Sequence, residues 1–503
     1  MFTYIFLFCW YFISFQHVLS ESSDSDCLNS FSSLVCKKLA NIHFSRTSSL
    51  IFNNASFTAL SNYSDNFGHL LKLAPAAVLK PGEAKDIVKL IHFVYNFNSK
   101  IKNRKTKIYL ACRGNGHSTN DQDLLNKTGI ILDMSELSSI LHINTNKLWI
   151  DVEAGILWLK LLKKTLKLNP PLSPRSWTDL LTLSVGGTLS NVGVSGQAGR
   201  FGPQISNVLE MDVVTGRGRF ITCSPKLNSK LFYAVLGGLG QFGIIVRARI
   251  PLRTAPLKAR TYTAVYNNIQ SFTSDQKMFL NDPKKLFDYV EGSINVSSNP
   301  FTFTIELVKY YNNSSTLPTD SYLASISHFK AGSLIGVDST YFDFLNRLQA
   351  TVDYLISIGT WNFPHPWLNL WLPASNITEF YNSAVSSSNA TLINGPVLLY
   401  PIRTNLINSQ TSLAFPSDPS NVIFLFAILR TASPEPTAIS AAEVDNLRLK
   451  TAAIALGGKG LFNVAYTKTE WIQQYGSKYA RLSKYKKMYD PLHILSPNQH
   501  IFN

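Results

Sequence analysis

A glycine-rich turn followed by a histidine is the feature that most constrains this chain. The apolar run 107–112 has the length of a buried strand and leads directly into the hexapeptide RGNGHS at 113–118. Two glycines around one residue let a strand turn sharply, and the bare N–H groups of such a turn suit a phosphate. His117 follows the second glycine, where its imidazole can reach a ring system attached to that phosphate. The pattern predicts a cofactor site, with an ordinary turn and a solvated histidine as the alternative for the hexapeptide alone.

Three longer stretches extend this pattern. The chain reads SWTDLLTLSVGGTLSNVGVSGQAGRFGPQISNVLEMDVVTGRG from Ser176, LGGLGQFGIIVRARI from Leu236 and HPWLNLWLP from His365. Together with RGNGHS, these stretches resemble the cytokinin dehydrogenases, which are flavoproteins of the vanillyl-alcohol-oxidase type. The resemblance runs from about Asn66 to the C-terminus. It implies an α+β, two-lobed FAD-linked oxidase fold, in which a substrate-binding domain covers the flavin held by a split flavin-binding domain.

The chain length also favours two lobes, because 503 residues exceed one ordinary hydrophobic core. Strand and helix patterns repeat from Asn66 to about Thr254, whereas Pro256 to about Gly458 shows longer loops and few repeating signals. The predicted divisions are a signal peptide (1–20), an N-terminal segment (21–65), an FAD-binding domain (66–254), a substrate (cytokinin)-binding domain (255–458) and a C-terminal return to the FAD domain (459–503).

Local patterns place helices and strands within the predicted FAD-binding domain. Apolar residues recur at helical spacing over 84–95 and 156–168, and two strand-like runs joined through Gly216-Arg217-Gly218 predict a hairpin. The stretch 238–243 satisfies the G-x-G-x-x-G pattern, but it follows a predicted helix and precedes a predicted strand. A dinucleotide-binding fold requires the reverse order. We therefore reject a Rossmann site and interpret these glycines as a turn near the flavin.

The N-terminus predicts a secreted protein. The apolar run 2–15 is short for a membrane span and precedes a polar, acidic stretch, as in a secretory signal cleaved near Ser20. An uncleaved anchor stays the alternative, because no basic residue precedes the run. Secretion is supported by Asn-x-Ser/Thr sequons at Asn54, Asn62, Asn126, Asn295, Asn312, Asn313, Asn376 and Asn389. The expected address is the extracellular space (apoplast), with the vacuole as the alternative.

The five cysteines fit the same address. Cys9 would leave with the signal peptide, and Cys27 and Cys36 are close enough in sequence to form a disulfide. Cys112 and Cys223 lie in apolar strand-like runs and are interpreted as buried thiols.

The formal net charge of +16 raises the question of a nucleic-acid partner. The positive residues are dispersed, with local enrichment only over 100–107 and 160–167, and neither cluster carries a nucleic-acid-binding motif. Solvated helix faces and loops explain this distribution. We expect a monomer without a nucleic-acid partner, without a metal site and without stable membrane insertion after signal cleavage.

The resemblance implies that His117 is linked covalently to the 8α-methyl carbon of FAD. Such a link retains the cofactor outside the cell and raises its oxidising power. The other flavin contacts that the resemblance implies are Cys112, Gly114, Asn115, Gly116, Ser118, Gln122, Asp179, Ser184, Ser190, Val194, Ile245, Ser496 and Gln499.

Asp179 and Glu291 match the two acidic active-site residues of the family, and Trp367 matches the aromatic wall of its substrate pocket. Hydride removal from the carbon attached to the exocyclic N6 of an adenine needs an acceptor for the N6 proton, and a carboxylate supplies one. Two neighbouring carboxylates divide their protonation, which leaves one as acid and one as base. The structural alternatives are a helix N-cap or an Asx-turn for Asp179 and an ordinary core position for Trp367.

Two stretches depart from the family pattern. Family members read GHSxxGQA at the flavin turn, whereas this chain places Asp121 and Asp123 on either side of Gln122. Losing the glycine restricts the backbone, and two carboxylates near a diphosphate are unfavourable, which weakens Gln122 as a flavin contact. The stretch 461–466 replaces the family's Tyr-Leu-Pro-His-Tyr, and Phe462 is expected to supply the apolar side chain of the substrate pocket there.

The function implied by the resemblance is FAD-dependent oxidation of N6-isoprenoid adenines, such as isopentenyladenine and zeatin, to an imine. Water then cleaves the imine to adenine and an unsaturated aldehyde, and the electrons pass to a quinone-type acceptor or to oxygen. Two alternatives stay open, namely a related secreted covalent-flavin oxidase of another amine or alcohol, and an inactive flavoprotein or hormone-binding module.

Overall fold

The computed structural model of the protein describes residues 33–53, 60–461 and 466–502. The strands are β1 (Ser49–Phe52), β2 (Ala77–Lys80), β3 (Tyr109–Arg113), β4 (Gly129–Asp133), β5 (Ile140–Asn144), β6 (Trp149–Glu153), β7 (Leu172–Pro174), β8 (Glu210–Val214), β9 (Phe220–Cys223), β10 (Ile244–Thr254), β11 (Lys258–Tyr266), β12 (Tyr289–Asn295), β13 (Thr302–Tyr311), β14 (Ile335–Thr340), β15 (Leu368–Pro373), β16 (Val397–Arg403), β17 (Val422–Ile428) and β18 (Lys459–Gly460). The α-helices are α1 (Ser33–Ala40), α2 (Ala84–Asn98), α3 (Trp158–Thr165), α4 (Val185–Asn191), α5 (Ala198–Phe201), α6 (Ser229–Val235), α7 (Ile269–Asn281), α8 (Asp320–Ile326), α9 (Tyr341–Leu345), α10 (Leu348–Ser357), α11 (Ile377–Phe380), α12 (Pro436–Ala455), α13 (Lys468–Tyr475) and α14 (Lys478–Tyr489).

These strands form three sheets. The first has the order β1-β2-β4-β3, with parallel pairing of β4 to both β2 and β3. The second has the order β5-β6-β10-β8-β9, with β7 paired to one end of β10. The third has eight strands in the order β14-β11-β13-β12-β16-β17-β15-β18, and all of its pairings are antiparallel. This mixture of sheets and helices confirms the predicted α+β class.

The local predictions in the first part of the chain are confirmed. Helix α2 buries the apolar residues whose spacing predicted it, and β8 and β9 form the predicted antiparallel hairpin. The glycines of 238–243 lie between α6 and β10, so the order is helix, glycines, strand. That order confirms the rejection of a Rossmann site.

The second part of the chain contains far more strand than its sequence pattern predicted. Inner strands such as β17 are buried at every position, so they show no alternation of apolar and polar residues. A continuous apolar run of this length does not distinguish a strand from a buried helix. The inner strand β13 does alternate, so its sequence could have predicted it. The expected long loops are therefore largely connections between strands of one sheet.

The C-terminal segment lies along β3, immediately before the glycine-rich turn. The N–H of Leu110 donates to the carbonyl of Ile494 at 2.8 Å, and the N–H of Ser496 donates to the carbonyl of Leu110 at the same distance. The C-terminal segment is therefore hydrogen-bonded to β3 close to the point where this strand leads into the turn.

A buried ion pair holds this segment in place. Lys486 and Asp490, one turn apart on and just after α14, approach within 2.8 Å and are almost fully buried. The Lys486 ammonium also donates to both oxygens of Gln241 at 3.0 Å and to the carbonyl of Leu495 at 3.1 Å. Asp490 accepts the N–H groups of Ile494 and Leu495. Both charges are therefore hydrogen-bonded, as a buried pair requires.

The cysteines partly follow the prediction. Cys36 is disulfide-bonded, and Cys27, its expected partner, lies outside the described residues. Cys223 is buried, but Cys112 is only half-buried, because it lies at the end of β3 beside the turn. Burial raises the pKa of both free thiols to about 12, so neither forms a thiolate at neutral pH.

Some predictions fall outside the described residues, namely the signal peptide, Cys9, Asn54 and Phe462. Among the helices that the structure describes, none combines the length and apolar character of a membrane span.

We expect Lys486→Met to lower the free energy of unfolding by about 3–5 kcal/mol, because it leaves the buried Asp490 carboxylate without its counter-charge. Chemical denaturation of the purified protein measures this change. The matched control is Lys487→Met on the exposed side of the same helix, with an expected change within about 0.5 kcal/mol. Equal effects of the two substitutions would contradict the proposed importance of the buried pair.

Candidate active site

The glycine-rich turn is held through its carbonyl groups. The N–H of Phe67 donates to the carbonyl of Gly116 at 2.9 Å, and the N–H of Gly68 donates to the carbonyl of Ser118 at 3.0 Å. Gly116 has φ of +70°, a left-handed conformation that favours glycine. Within the described residues, the N–H groups of 115–117 donate to no protein atom. Three adjacent free N–H groups in a turn suit an anionic ligand such as a phosphate.

The Asp123 carboxylate stabilises this turn. It pairs with Arg113 at 2.9 Å and accepts a hydrogen bond from the side-chain amide of Asn66 at 2.8 Å. The charge that the sequence placed near the expected diphosphate is therefore compensated locally. The side-chain oxygen of Gln122 accepts the N–H of Asn120 at 3.1 Å, so this predicted flavin contact also makes a local backbone contact. Burial raises the pKa of Asp121 and of Asp123.

The turn packs against the loop 175–184, which carries Asp179. The side-chain amide of Asn115 donates to the carbonyl of Thr182 at 2.9 Å. A Cβ atom on Gly114 would lie 2.1 Å from the hydroxyl of Ser184, so this position accepts only glycine without movement. Ser184 is the N-cap of α4 and accepts the N–H of Gly187 at 3.3 Å.

The other predicted flavin residues form a second group beyond α4. Ser190 accepts the N–H of Leu239 through its carbonyl at 2.8 Å, and the side-chain amide of Gln499 donates to the carbonyl of Leu239 at 2.9 Å. A Cβ atom on Gly240 would lie 2.6 Å from the Ser496 hydroxyl. The glycines of 238–243 therefore connect α4 with the C-terminal segment. Of the remaining two predicted contacts, Val194 is half-buried after α4 and Ile245 is buried in β10.

His117 lies in an aromatic cluster that includes Trp367. The ring of Phe67 is 5.2 Å from that of His117, 5.1 Å from that of Trp367 and 4.2 Å from that of His365, on which it stacks. The indole N–H of Trp367 is buried and donates to no atom in the described part of the chain. It is therefore available to a ligand.

His117 is neutral at physiological pH. Burial, followed by the charge of Arg113 and the ring of His365, lowers the pKa of His117 to about 4. A neutral imidazole has a nitrogen lone pair that can form a bond to carbon.

A buried tryptophan fixes the loop that carries Asp179. Trp177 is fully buried, its indole N–H donates to the hydroxyl of Tyr341 at 3.2 Å, and its carbonyl accepts the hydroxyl of Ser195 at 2.8 Å. Asp179, two residues further on, is therefore carried on an anchored loop. It caps no helix, which excludes the N-cap alternative for this residue.

An acidic cluster surrounds the Tyr289 hydroxyl. This hydroxyl lies 3.0 Å from Asp179, and it also makes a short hydrogen bond with Glu291. Arg347 donates to the Tyr289 oxygen at 2.6 Å and to Asp179 at 2.9 Å, and its guanidinium lies 3.6 Å from Glu306. The structure thus brings the two predicted catalytic carboxylates to one hydroxyl.

Burial and charge determine which carboxylate holds a proton. Burial raises the pKa of Glu291 well above its usual range, the negative charge of Asp179 raises it further, and Arg347 lowers it. A hydroxyl has one hydrogen and two lone pairs. Since Arg347 occupies one lone pair of Tyr289, only one carboxylate can accept the tyrosine proton, and the other must be protonated to donate. The raised pKa of Glu291 therefore favours Glu291 as the protonated member of the pair.

Sequence reasoning missed Tyr289, Glu306 and Arg347. Tyr289 could have been predicted from the sequence, because residues two apart on a strand share a face, and Glu291 follows two positions later in β12. Glu306 is the direct cross-strand neighbour of Glu291 in β13, which only the strand register reveals. Arg347 lies 168 residues from Asp179, and no local pattern marks it.

Comparison with known proteins agrees with this architecture. A family model described as an FAD binding domain matches residues 75–224, and one described as "Cytokinin dehydrogenase 1, FAD and cytokinin binding" matches residues 294–502. The solved structure of 6-hydroxy-D-nicotine oxidase from Arthrobacter nicotinovorans is similar over 92% of this chain and 99% of its own, with a TM-score of 0.64 and 19% identity. BBE-like 1 from Physcomitrella patens is similar over 92% and 97%, with a TM-score of 0.70 and 15% identity.

The fold and the FAD-binding match define the class: the protein is an FAD-dependent oxidoreductase with the two-lobed fold of the FAD-linked oxidases. Cytokinin dehydrogenase 2 of Arabidopsis thaliana is 36% identical over 476 residues, which cover 88% of this chain and 92% of the relative. Cytokinin dehydrogenase 9 of Oryza sativa subsp. japonica is 37% identical over 478 residues, which cover 89% and 90%. The chain belongs to the cytokinin dehydrogenase family.

We expect Gly116→Ala to lower the FAD content of the purified protein, because alanine disfavours the left-handed conformation by roughly 1–2 kcal/mol and its Cβ would press on Arg113. The ratio of visible to ultraviolet absorbance measures FAD content. Gly332→Ala is the matched control, since Gly332 has nearly the same φ, +73°, with nothing within 4 Å of an added Cβ. Loss of FAD from both variants, or from neither, would contradict this role of the turn.

Proposed function

We propose that the protein degrades cytokinins by oxidising the carbon attached to N6 of an N6-isoprenoid adenine, such as isopentenyladenine or zeatin. The resulting imine reacts with water to yield adenine and an unsaturated aldehyde. The observation that carries this proposal is Asp179, which pairs with Arg347 at 2.9 Å on the loop that packs against the glycine-rich turn. The match to a cytokinin-binding family model and the similarity to proteins named cytokinin dehydrogenase support the substrate class.

The residues around the turn fit FAD. The free N–H groups of 115–117 suit a pyrophosphate, and the close packing of Gly114 on Ser184 leaves backbone rather than side chain at that surface. His117 would hold FAD covalently, and the other residues that would line it are Cys112, Ser118, Gln122, Ser190, Val194, Ile245, Ser496 and Gln499. When bound, FAD accepts a hydride and passes its electrons to a quinone-type acceptor or to oxygen.

Asp179 is the proposed proton acceptor. Its carboxylate takes the proton of the substrate N6–H, which allows the nitrogen to form a double bond to the neighbouring carbon. Glu291, protonated and connected through Tyr289, is the proposed second acidic residue of the pair. Trp367 offers an apolar wall for a flat purine or an isoprenoid chain, together with a free indole N–H. Phe462, outside the described residues, is proposed as a further apolar contact.

We also propose that the protein is secreted to the extracellular space, with the vacuole as the alternative, and that it acts as a monomer. The signal-like N-terminus supports secretion, and the sequon asparagines Asn62, Asn126, Asn295 and Asn389 are exposed. The proposed domain limits remain 66–254 for FAD binding, 255–458 for substrate binding and 459–503 for the C-terminal return.

If the flavin is linked covalently, acid precipitation of the purified protein should leave the yellow colour in the pellet. His117→Ala should release its flavin into the supernatant, because non-covalent FAD dissociates when the chain unfolds. The control His142→Ala, an exposed histidine on β5, should keep a yellow pellet. Colour that leaves the unmodified protein with the supernatant would rule out covalent attachment.

Asp179→Asn should retain FAD but slow flavin reduction by isopentenyladenine about 10²–10⁴-fold, because an amide cannot accept the N6 proton. Anaerobic bleaching of the flavin absorbance measures this rate. The control Asp353→Asn, on the exposed side of α10, should bleach at the unmodified rate. Unchanged bleaching in Asp179→Asn would refute the proton-acceptor role. Ligand binding without any bleaching in the unmodified protein would favour a hormone-binding module.

A further inference from the structure

Arg347 is held in a fixed orientation between aromatic rings. It lies between α9 and α10, and its guanidinium is 4.5 Å from the ring centre of Phe344 and 5.2 Å from that of Tyr289. One guanidinium N–H also donates to the carbonyl of Phe344 at 3.3 Å. The side chain is 25% exposed, so most of its length is removed from water. Stacking and the rigid fork of an arginine together limit where its N–H groups can point.

The groups around this guanidinium are mostly acidic. Asp179 comes from the loop after β7, Glu291 from β12 and Glu306 from β13. Burial raises the pKa of both Glu291 and Glu306, and Arg347 is the cation that lowers both. Tyr400, from β16, also faces the cluster, and burial raises its pKa well above the usual range, so it stays neutral.

We propose that Arg347 is a positioning residue that supplies the counter-charge of the Asp179 carboxylate and aims this carboxylate at the substrate N6–H. It acts directly through the 2.9 Å ion pair and indirectly by occupying one lone pair of the Tyr289 hydroxyl. That occupancy leaves one hydrogen and one lone pair on Tyr289 for two carboxylates, so the pair retains one proton, on Glu291. Without Arg347, the Asp179 carboxylate loses its counter-charge and the contact that fixes its direction.

This inference rests on the proposed role of Asp179, and the pH dependence of kcat/KM tests it. The acid limb of the profile reports proton uptake by the carboxylates around Tyr289 as pH falls, and Arg347 lowers the pKa of Glu291 and of Glu306 among them. Arg347→Met removes the cation that lowers these pKa values, so the limb should move to higher pH by about 1–3 pH units. Arg347→Lys keeps the charge but loses the fork, so the limb should stay in place while the plateau falls at least about tenfold.

The assay uses the holoenzyme with isopentenyladenine and a quinone acceptor, with FAD content and melting temperature recorded for every variant. Arg260→Met is the matched control, because Arg260 forms a 2.8 Å ion pair with Asp338 at the edge of the same sheet, and its limb should not move. An unmoved limb in Arg347→Met with full FAD content would overturn the inference. If that variant does not accumulate, an unchanged plateau in Arg347→Lys overturns it instead.

The two proposals fail in different ways. If Asp179→Asn reduces its flavin at the unmodified rate, Asp179 is not the proton acceptor, whatever the Arg347 variants do. If Asp179→Asn is inactive but Arg347→Met has the same pH dependence of kcat/KM as the unmodified protein, Asp179 remains the proposed acceptor. That result would reject only the positioning role of Arg347.

Discussion

The cost of burying charge is the constraint on which this structure most depends. An ionised side chain removed from water must meet an opposite charge and hydrogen-bond partners, or lose its charge. The Lys486–Asp490 pair meets this requirement beneath the C-terminal segment, and the Arg113–Asp123 pair meets it beneath the glycine-rich turn. Around Tyr289 it is met only partly, since one arginine faces three carboxylates. Because the negative charge there is only partly compensated, the pKa values of Glu291 and Glu306 are raised.

The glycine-rich turn shows how a fold leaves groups free for a ligand. Its carbonyls accept hydrogen bonds from Phe67 and Gly68, which fixes the backbone, while the N–H groups of 115–117 donate to no atom of the described residues. Support comes from the loop after β7 on one side and from the C-terminal segment on the other. A turn held in this way is preorganised, so a phosphate would gain its hydrogen bonds without first ordering the backbone.

The acidic cluster joins the two proposed domains. Asp179 belongs to the stretch proposed to bind FAD, whereas Tyr289, Glu291, Glu306 and Arg347 belong to the stretch proposed to bind substrate. The cluster is therefore assembled from both stretches. The contacts of Asp179 with Tyr289 and with Arg347 exist only when the two stretches pack together.

The sequence by itself determined the class of fold, and it predicted the cofactor turn and the two carboxylates, because each depends on a local pattern. Glycine spacing specifies a turn, helical spacing predicted α2, and long similar stretches identified the family around Asp179, Glu291 and Trp367. Part of the eight-stranded sheet escaped this reasoning, since strands such as β17, buried on both faces, carry no alternation. Only the tertiary structure decided which groups face the two carboxylates. Arg347 reaches Asp179 across 168 residues, and its effect depends on burial and on a few ångströms of separation, quantities that exist only when distant segments pack together.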